Sequence, residues 1–251
     1  NSFHVIKKNL TPVEYNKALI LGEPSIELVR NETRVYPNKN LFSHIIGNVD
    51  VDQKGVSGIE LFLDEEIKNK AKIDEPIILS VDQNIQFIIR ETLKESMRVF
   101  DAKGASGILL DAQSGKVLSM ISLPDYNPNN RRELANKNYL FNKNTKGLYE
   151  LGSIFKTFVI ANALEKKTVT RDKIYKNLPK EVKCGKFPIR EYKYSLDKKN
   201  LTVNDILVES SNIGTIRIIQ ESGLDSYRKF LENLEIFNYS KIELPEVSAS
   251  T

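Results

Sequence analysis

The stretch that decides the fold of this chain is Gly152–Lys166, which reads GSIFKTFVIANALEK. Nearly every side chain between Ile154 and Leu164 is apolar or small, and a helix that is apolar on all sides must be surrounded by protein. Its first turn nevertheless carries Ser153 and Lys156, and their i, i+3 spacing places both side chains on one face. The sequence therefore predicts a buried helix with a polar pair at its N-terminal end.

This polar pair has two interpretations. A lysine that is held neutral beside a serine hydroxyl accepts the hydroxyl proton, and the serine then becomes a nucleophile. In the structural alternative, Ser153 is only the N-cap of the helix and Lys156 extends its ammonium group to solvent. The tetrapeptide S-x-x-K alone favours the structural alternative, because such tetrapeptides are common by chance.

Composition limits the classes of function that are open to the chain. The chain has 251 residues, of which 40% are hydrophobic and 28% charged, as is typical of a globular protein with a sizeable core. Its formal net charge of +4 gives no reason to expect a nucleic-acid partner. With 2 histidines and the single Cys184, a His-rich metal site and an intrachain disulfide are both excluded. We expect no metal and no cofactor.

The periodicity of the chain predicts an α+β fold in two parts. A polar, charged segment at Lys68–Pro76 separates a smaller first module, residues 1–72, from a domain of residues 73–251. Within that domain, the order of a strand, a long helix, a hairpin and further helices predicts an antiparallel sheet with helices on both faces. The predicted helices are Pro12–Leu21 after the cap Thr11, Glu60–Lys68, a helix capped by Asp82 that reaches Phe100, Gly152–Lys166, Thr202–Val208, Ile213–Glu221 and a last helix capped by Asp225. The predicted strands are Ile26–Tyr36, His44–Val49, Pro76–Val81, Ser106–Asp111 and Lys116–Leu123, and Val169–Leu201 is expected to be irregular.

A second polar cluster, Ser210-Ser211-Asn212, lies between two apolar helical segments, where a polar loop can project into a cleft. The structural alternative makes Ser211 or Asn212 the N-cap of the helix that follows. Together with Ser153 and Lys156, however, the cluster gives the order S-x-x-K then S-x-N, which resembles that of penicillin-recognising serine enzymes.

Flanking segments extend this resemblance over nearly all of residues 30–220. The chain resembles class B penicillin-binding proteins and, within them, the division-specific branch, since the elongation branch more often has Asp at the position of Asn212. Segments similar to the family's pedestal module are Arg34–Pro37, His44–Gly47 and Gly55–Glu60; segments similar to its transpeptidase domain are Val81–Gln86, Asp111–Met120, Ser122–Asn129 and Tyr149–Lys156; segments similar to the division branch are Val49–Gly55 and Ser210–Thr215.

The resemblance implies both a fold and an activity. The fold would be a serine β-lactamase-like transpeptidase domain over residues 73–251, after part of a pedestal, or dimerisation, module over residues 1–72. The activity would be a D,D-transpeptidase that cross-links peptidoglycan stem peptides during septal cell-wall synthesis through a serine acyl-enzyme, and that β-lactams block. Ser153 would attack the D-Ala-D-Ala bond and Lys156 would accept its proton. Ser210 would relay a proton to the leaving amine, while Asn212 would bind the substrate amide and orient Lys156.

Two departures from the family pattern stand out. Leu151 replaces the usual proline of the E-P-G-S-x-x-K run, and no K-T-G triad occurs in the chain. No run approaches the roughly 18 to 20 apolar residues of a membrane span, and no signal peptide opens the chain. The resemblance therefore implies that the chain is a fragment of a longer protein, with a truncated domain. It also implies that the complete protein is held by a single-pass anchor at the periplasmic face of the bacterial inner membrane.

Partners and rival functions follow from the same resemblance. Expected partners are stem peptides, β-lactams, a SEDS-family glycosyltransferase and other division proteins, with no nucleic acid, and with the membrane only through the anchor. A non-catalytic penicillin-binding scaffold or β-lactam sensor is an alternative, because the chain lacks K-T-G. A β-lactamase is a weaker alternative, because the water-activating E-x-x-L-N pattern is missing.

Overall fold

Helices and short antiparallel strand pairs make up the computed structural model, which describes residues 4–7, 10–29, 33–71, 74–130, 132–192 and 199–247. The chain divides into two units, one of residues 1–147 with 241–247 and one of residues 148–240 with 248–251. This division separates two compact regions of the structure, whereas the predicted boundary after residue 72 separates two modules of the family. The predicted boundary therefore stays a prediction. Among the described residues, none of the helices has the length and apolar character to cross a membrane.

The first unit is built around one hairpin and one long helix. Its helices are α1 (Pro12–Leu21), α2 (Ser43–Ile46), α3 (Gly58–Phe62), α4 (Asp64–Ala71), α5 (Gln83–Phe100) and α6 (Lys137–Leu140), with 3₁₀ turns at Lys39–Phe42 and Glu133–Ala135. Its strands are β1 (Asn48–Val49) paired with β2 (Gly55–Ser57), and β3 (Ala105–Leu110) paired with β4 (Val117–Leu123), both antiparallel.

Local sequence signals account for the main elements of this unit. Thr11 forms a capping box with Glu14 at the start of α1, and Gly22 ends that helix in the left-handed conformation. Asp82 caps α5 by accepting hydrogen bonds from the backbone N–H groups of Asn84 and Ile85, at 2.8 and 2.9 Å. These predicted helices and the predicted hairpin are confirmed.

Gln86 ties the long helix to the sheet. Its side chain is 1% exposed. Its Nε2 donates to the carbonyl oxygens of Leu41, at 2.8 Å, and Met120, at 3.0 Å. Its Oε1 accepts from the hydroxyl of Ser119, at 2.7 Å, and from the N–H of Met120, at 3.0 Å. One buried amide thus satisfies groups on β4 and on the 3₁₀ turn at Lys39–Phe42.

The polar segment that follows β4 contacts two earlier parts of the chain, the backbone of Tyr36 and the helix α5. Asn129 exchanges two hydrogen bonds with the backbone of Tyr36, accepting from its N–H at 3.0 Å and donating to its carbonyl oxygen at 2.8 Å. Asp125 pairs with Arg90 on α5 at 2.6 Å. The run Ser122–Asn129 therefore serves the packing of the first unit.

The buried His44 makes the stability of this unit depend on pH. Its Nε2 donates to the carbonyl oxygen of Tyr139 at 2.7 Å. Burial lowers the pKa of His44 from 6.5 to about 4. The unfolded chain therefore binds a proton below pH 6.5 that the folded chain does not bind until about pH 4, and the protein loses stability as pH falls through that window.

We expect this histidine to account for about 3 kcal/mol of unfolding free energy lost between pH 6.5 and pH 4. The measurement is urea unfolding across that range for the parent and for His44→Gln, which cannot titrate. His4 is exposed, so His4→Gln is the matched control and is expected to keep the parent's pH dependence. Equal pH dependence in the parent and His44→Gln would contradict the prediction.

The second unit is a helical cluster with two strand pairs. Its helices are a 3₁₀ turn at Gly152–Phe155, α7 (Lys156–Glu165), α8 (Val203–Val208), α9 (Asn212–Ser222) and α10 (Leu224–Asn233). Its strands are β5 (Ile174–Tyr175) paired with β8 (Leu201–Thr202), and β6 (Glu181–Cys184) paired with β7 (Phe187–Arg190), both antiparallel. The core contains Val159, Ile160 and Ala163 of α7, Ile206 of α8, and Ile213 and Ile218 of α9.

Several predicted elements differ from the structure. Residues 26–29 and 33–36 form no strand, and residues 30–32 of that prediction lie outside the described residues. Residues 76–81 are also unpaired, with Ile78 89% exposed. A run of apolar β-branched residues forms a strand only where another strand pairs with its backbone N–H and C=O groups. The hydrophobic periodicity of the run does not show whether such a partner exists.

Three further predictions were wrong in detail. The first half of the predicted strand His44–Val49 belongs to the helix α2, and only its end, Asn48–Val49, is the strand β1. Gly47 lies between them with φ of 82°, where an added Cβ would lie 1.9 Å from the carbonyl oxygen of Ser57. Gly223, not Asp225, is the N-cap of α10. Ile154 and Leu164 are exposed, so α7 is buried on one face instead of all around.

Candidate active site

The predicted nucleophile Ser153 lies in the 3₁₀ turn that runs directly into α7. Gly152 enters this turn in the left-handed conformation, with φ of 55°, which glycine adopts without steric cost. Ser153 is exposed and its hydroxyl caps neither helical segment, since the N-cap positions are Leu151 and Phe155 and neither makes a side-chain cap bond. The interpretation of Ser153 as an N-cap is therefore wrong.

The S-x-N loop connects α8 to α9. Thr202 starts α8 with a capping box that includes Asp205, and the N–H of Ser211 bonds the carbonyl oxygen of Ile206 as that helix ends. Ser211 is the N-cap of α9, because its Oγ accepts from the N–H of Gly214 at 2.9 Å. Ser210 has φ of 53°, in the left-handed region that a serine rarely adopts. The cap interpretation holds for Ser211, which leaves Ser210 and Asn212 for other contacts.

Lys156 brings both motifs together. Its Nζ donates to the carbonyl oxygen of Ser210 at 2.5 Å, to the hydroxyl of Ser210 at 3.0 Å and to Oδ1 of Asn212 at 2.6 Å. A lysine ammonium has three donors, and all three are used. The structure thus joins three of the four predicted site residues, and Ser153 lies one turn before Lys156 without taking part in these bonds.

Burial acts against the charged form of Lys156. Burial lowers the pKa of its ammonium group below the ordinary value, while the negative charge of Glu191 acts in the opposite direction. Its direct partners, Ser210 and Asn212, are neutral and give no counter-charge. A lysine with a lowered pKa beside a serine is suited to accept a proton.

Glu191 belongs to this site although no sequence motif indicated it. Its carboxylate accepts from the hydroxyl of Ser211 at 2.6 Å and from the N–H groups of Asn212, at 3.0 Å, and Ile213, at 2.9 Å. The preceding carbonyl oxygen, that of Arg190, accepts from Nδ2 of Asn212 at 2.7 Å. These residues lie in the segment predicted to be irregular, and no motif spacing connects them to the S-x-N loop.

The groups at this site suit acyl transfer. Hydroxyl, ammonium, amide and carboxylate groups are present, and no group of three or more His, Cys, Asp or Glu residues in the described part of the chain is placed to hold a metal ion. An exposed serine hydroxyl and a lysine of lowered pKa, one helical turn apart, are the parts that a nucleophile and its base require.

Comparison with known proteins places this arrangement in a family. Residues 105–251 match the penicillin binding protein transpeptidase domain. The probable peptidoglycan D,D-transpeptidase FtsI of Caulobacter vibrioides is 31% identical over 238 residues, which cover 94% of this chain and 40% of that protein. The peptidoglycan D,D-transpeptidase FtsI of Escherichia coli is 28% identical over 243 residues, or 86% of this chain and 40% of that protein.

The solved structures agree at the level of the fold. Penicillin binding protein 3 of Mycobacterium tuberculosis, in complex with aztreonam, has a TM-score of 0.76 and 22% identity, and covers 86% of this chain and 50% of that chain. This chain spans about two-fifths of the length of the curated relatives it matches. Because the family model covers more than half of the residues and includes the S-x-x-K and S-x-N motifs, the chain belongs to the penicillin binding protein transpeptidase domain family.

Proposed function

We propose that this chain is the nucleophile-bearing part of a peptidoglycan D,D-transpeptidase that cross-links stem peptides during septal cell-wall synthesis. The observation that carries the proposal is the set of bonds from Lys156 to Ser210 and Asn212, one turn after the exposed Ser153. The names of the relatives, a probable peptidoglycan D,D-transpeptidase and a peptidoglycan D,D-transpeptidase, support this reaction.

In the proposed reaction, Ser153 Oγ attacks the carbonyl carbon of the D-Ala-D-Ala peptide bond and its proton passes to neutral Lys156. Ser210, which is bonded to Lys156, delivers a proton to the amine of the departing D-Ala. The N–H of Ser153 contributes one donor to the oxyanion, a type of stabilisation that is often the largest single term. An amine from a second stem peptide then attacks the acyl-enzyme ester, forms the cross-link and returns the proton.

β-Lactams are the proposed inhibitors. Their strained amide would react with Ser153 as the peptide bond does, but the amine stays attached after the ring opens and blocks the acceptor. Solved complexes of a structural relative with aztreonam and ampicillin support this expectation. For the complete protein we propose a single-pass anchor at the periplasmic face of the inner membrane, with a SEDS-family glycosyltransferase and other division proteins as partners.

The test is acylation of the full-length protein by a fluorescent penicillin, with mass spectrometry to locate the adduct. We expect a stable adduct on Ser153 and no detectable labelling of Ser153→Ala. Ser222 lies at the end of α9, where its hydroxyl bonds the carbonyl oxygen of Ile218 in the same helix, so Ser222→Ala is the matched control and should label like the parent.

The rival functions give different results in the same experiment. A scaffold without a working nucleophile forms no adduct on Ser153, and a β-lactamase releases the adduct quickly enough to turn over the penicillin. A β-lactam sensor forms a stable adduct but does not cross-link stem peptides, so an assay of cross-linking separates it from the transpeptidase. Labelling that persists in Ser153→Ala would contradict the assignment of the nucleophile.

A further inference from the structure

The end of the β6–β7 hairpin holds the S-x-N loop. Arg190, the last residue of β7, lies opposite Glu181 of β6 in the hairpin and forms an ion pair with it. The N–H of Glu191 then bonds the carbonyl oxygen of Lys180 at 3.3 Å, which extends the pairing by one residue. The hairpin therefore fixes the backbone position from which the Glu191 side chain extends.

Both oxygens of the Glu191 carboxylate accept hydrogen bonds from the start of α9. Oε1 accepts from Ser211 Oγ and from the N–H of Ile213, and Oε2 accepts from the N–H of Asn212. The first N–H groups of a helix have no partner inside the helix, so a carboxylate that binds them fixes where the helix begins. The position of Asn212 thus depends on an acid 21 residues earlier in the chain.

The hairpin also determines which end of the Asn212 amide faces the lysine. Nδ2 of Asn212 donates to the carbonyl oxygen of Arg190, so Oδ1 is the atom directed at Lys156 Nζ. An amide turned the other way would present donors to an ammonium that has no acceptor. Two adjacent residues of the hairpin end therefore orient the acceptor that binds the candidate base.

We infer that Glu191 is a positioning residue of this site: it fixes Asn212, and through Asn212 it holds Lys156 in place for proton transfer from Ser153. The inference rests on the proposed function, since it assigns to Lys156 the role of base. Glu191 itself bonds no atom of Ser153 or Lys156 and acts through the loop.

The charge of Glu191 adds an effect that a merely structural cap would not have. Its field raises the pKa of Lys156, against the larger effect of burial. Of the other charged groups on the elements around Lys156, Arg190 is paired with Glu181, and Glu209 precedes Ser210. Removing the Glu191 charge should therefore let Lys156 become neutral at lower pH and move the acid limb of the acylation rate to lower pH.

The experiment measures the rate of acylation by fluorescent penicillin between pH 5 and pH 9 in the full-length protein. We expect Glu191→Ala to slow acylation by about 10- to 100-fold, the effect of a misplaced catalytic group. Glu191→Asp keeps the charge and should recover part of the rate. Glu191→Gln should shift the acid limb to lower pH. Glu232→Gln is the matched control, because Glu232 lies exposed on α10 and pairs only weakly at the surface with Arg228 of the same helix; it should stay within about twofold of the parent.

A double-mutant cycle separates positioning from general destabilisation. Because Glu191 acts through Asn212, Glu191→Ala should add little to the loss already caused by Asn212→Ala. Full additivity, or a Glu191→Ala rate within about twofold of the parent, would overturn the inference. Thermal melts of Glu191→Gln and Glu191→Ala show whether each variant is folded when its rate is measured.

Failure of the proposed function gives a different result from failure of this inference. A parent protein that is not acylated at Ser153 refutes the function, whatever the Glu191 variants do. The positioning itself is then read from amide hydrogen exchange at Asn212 and Ile213. Exchange at these two amides should be faster in Glu191→Ala than in Glu232→Gln, and equal exchange in the two variants would overturn the inference.

Discussion

Replacing Lys156 by arginine is expected to slow acylation of Ser153 by about two to four orders of magnitude, the range for loss of a general base. Arginine keeps the positive charge but does not lose its proton at working pH, so it cannot accept the proton of the serine. Lys156→Ala should lose a similar amount, because the missing function is proton acceptance and not charge. The rates are measured with a fluorescent penicillin on the full-length protein.

The control for this prediction is Lys166→Arg, at the C-cap of the same helix α7. It introduces the same chemical change far from Ser210 and Asn212 and should acylate like the parent. Thermal melts should show that both arginine variants fold. If Lys156→Arg acylated at near the parent rate, Lys156 would be an electrostatic or structural residue, and the proton acceptor would have to be another group.

Replacing Gln86 by leucine is expected to lower the free energy of unfolding by about 4 kcal/mol, because leucine leaves four buried polar groups without their partner and each such group costs about 1 to 3 kcal/mol. These groups are the carbonyl oxygens of Leu41 and Met120, the N–H of Met120 and the hydroxyl of Ser119. The measurement is urea unfolding followed by far-UV circular dichroism.

Gln83 provides the matched control for this substitution. It lies in the first turn of the same helix α5 and is exposed, so Gln83→Leu should change stability by about 0.5 kcal/mol or less. A Gln86→Leu variant as stable as Gln83→Leu would show that the four groups find other partners and that the amide does not tie α5 to β4.

Signals that act within a few residues predicted much of this fold. The caps Thr11 and Asp82, the extent of α5 to Phe100 and the β3–β4 hairpin are all confirmed, because each depends on neighbours in the sequence. The run Pro76–Val81 failed as a strand because its composition says nothing about a pairing partner. Strand prediction was therefore weakest where pairing, and not composition, decides the outcome.

For the candidate site, too, local motifs predicted some residues and contacts distant in sequence escaped prediction. Two short motifs predicted Lys156, Ser210 and Asn212 together, since their order in the chain carries the resemblance to a family. Glu191 escaped prediction because its role comes from three-dimensional contacts with Ser211, Asn212 and Ile213, and a glutamate in a poorly periodic segment looks like a surface residue. The placement of Ser153 against Ser210 during catalysis stays a prediction.

The left-handed backbone of Ser210 sets stability and activity against each other at this position. At φ of 53°, a residue other than glycine or asparagine carries a steric cost of about 1 to 2 kcal/mol. Glycine would relieve that cost but has no hydroxyl with which to bond Lys156 or relay a proton. Selection of variants for thermal resistance alone would thus favour glycine at residue 210 and give a more stable protein that lacks the proposed proton relay.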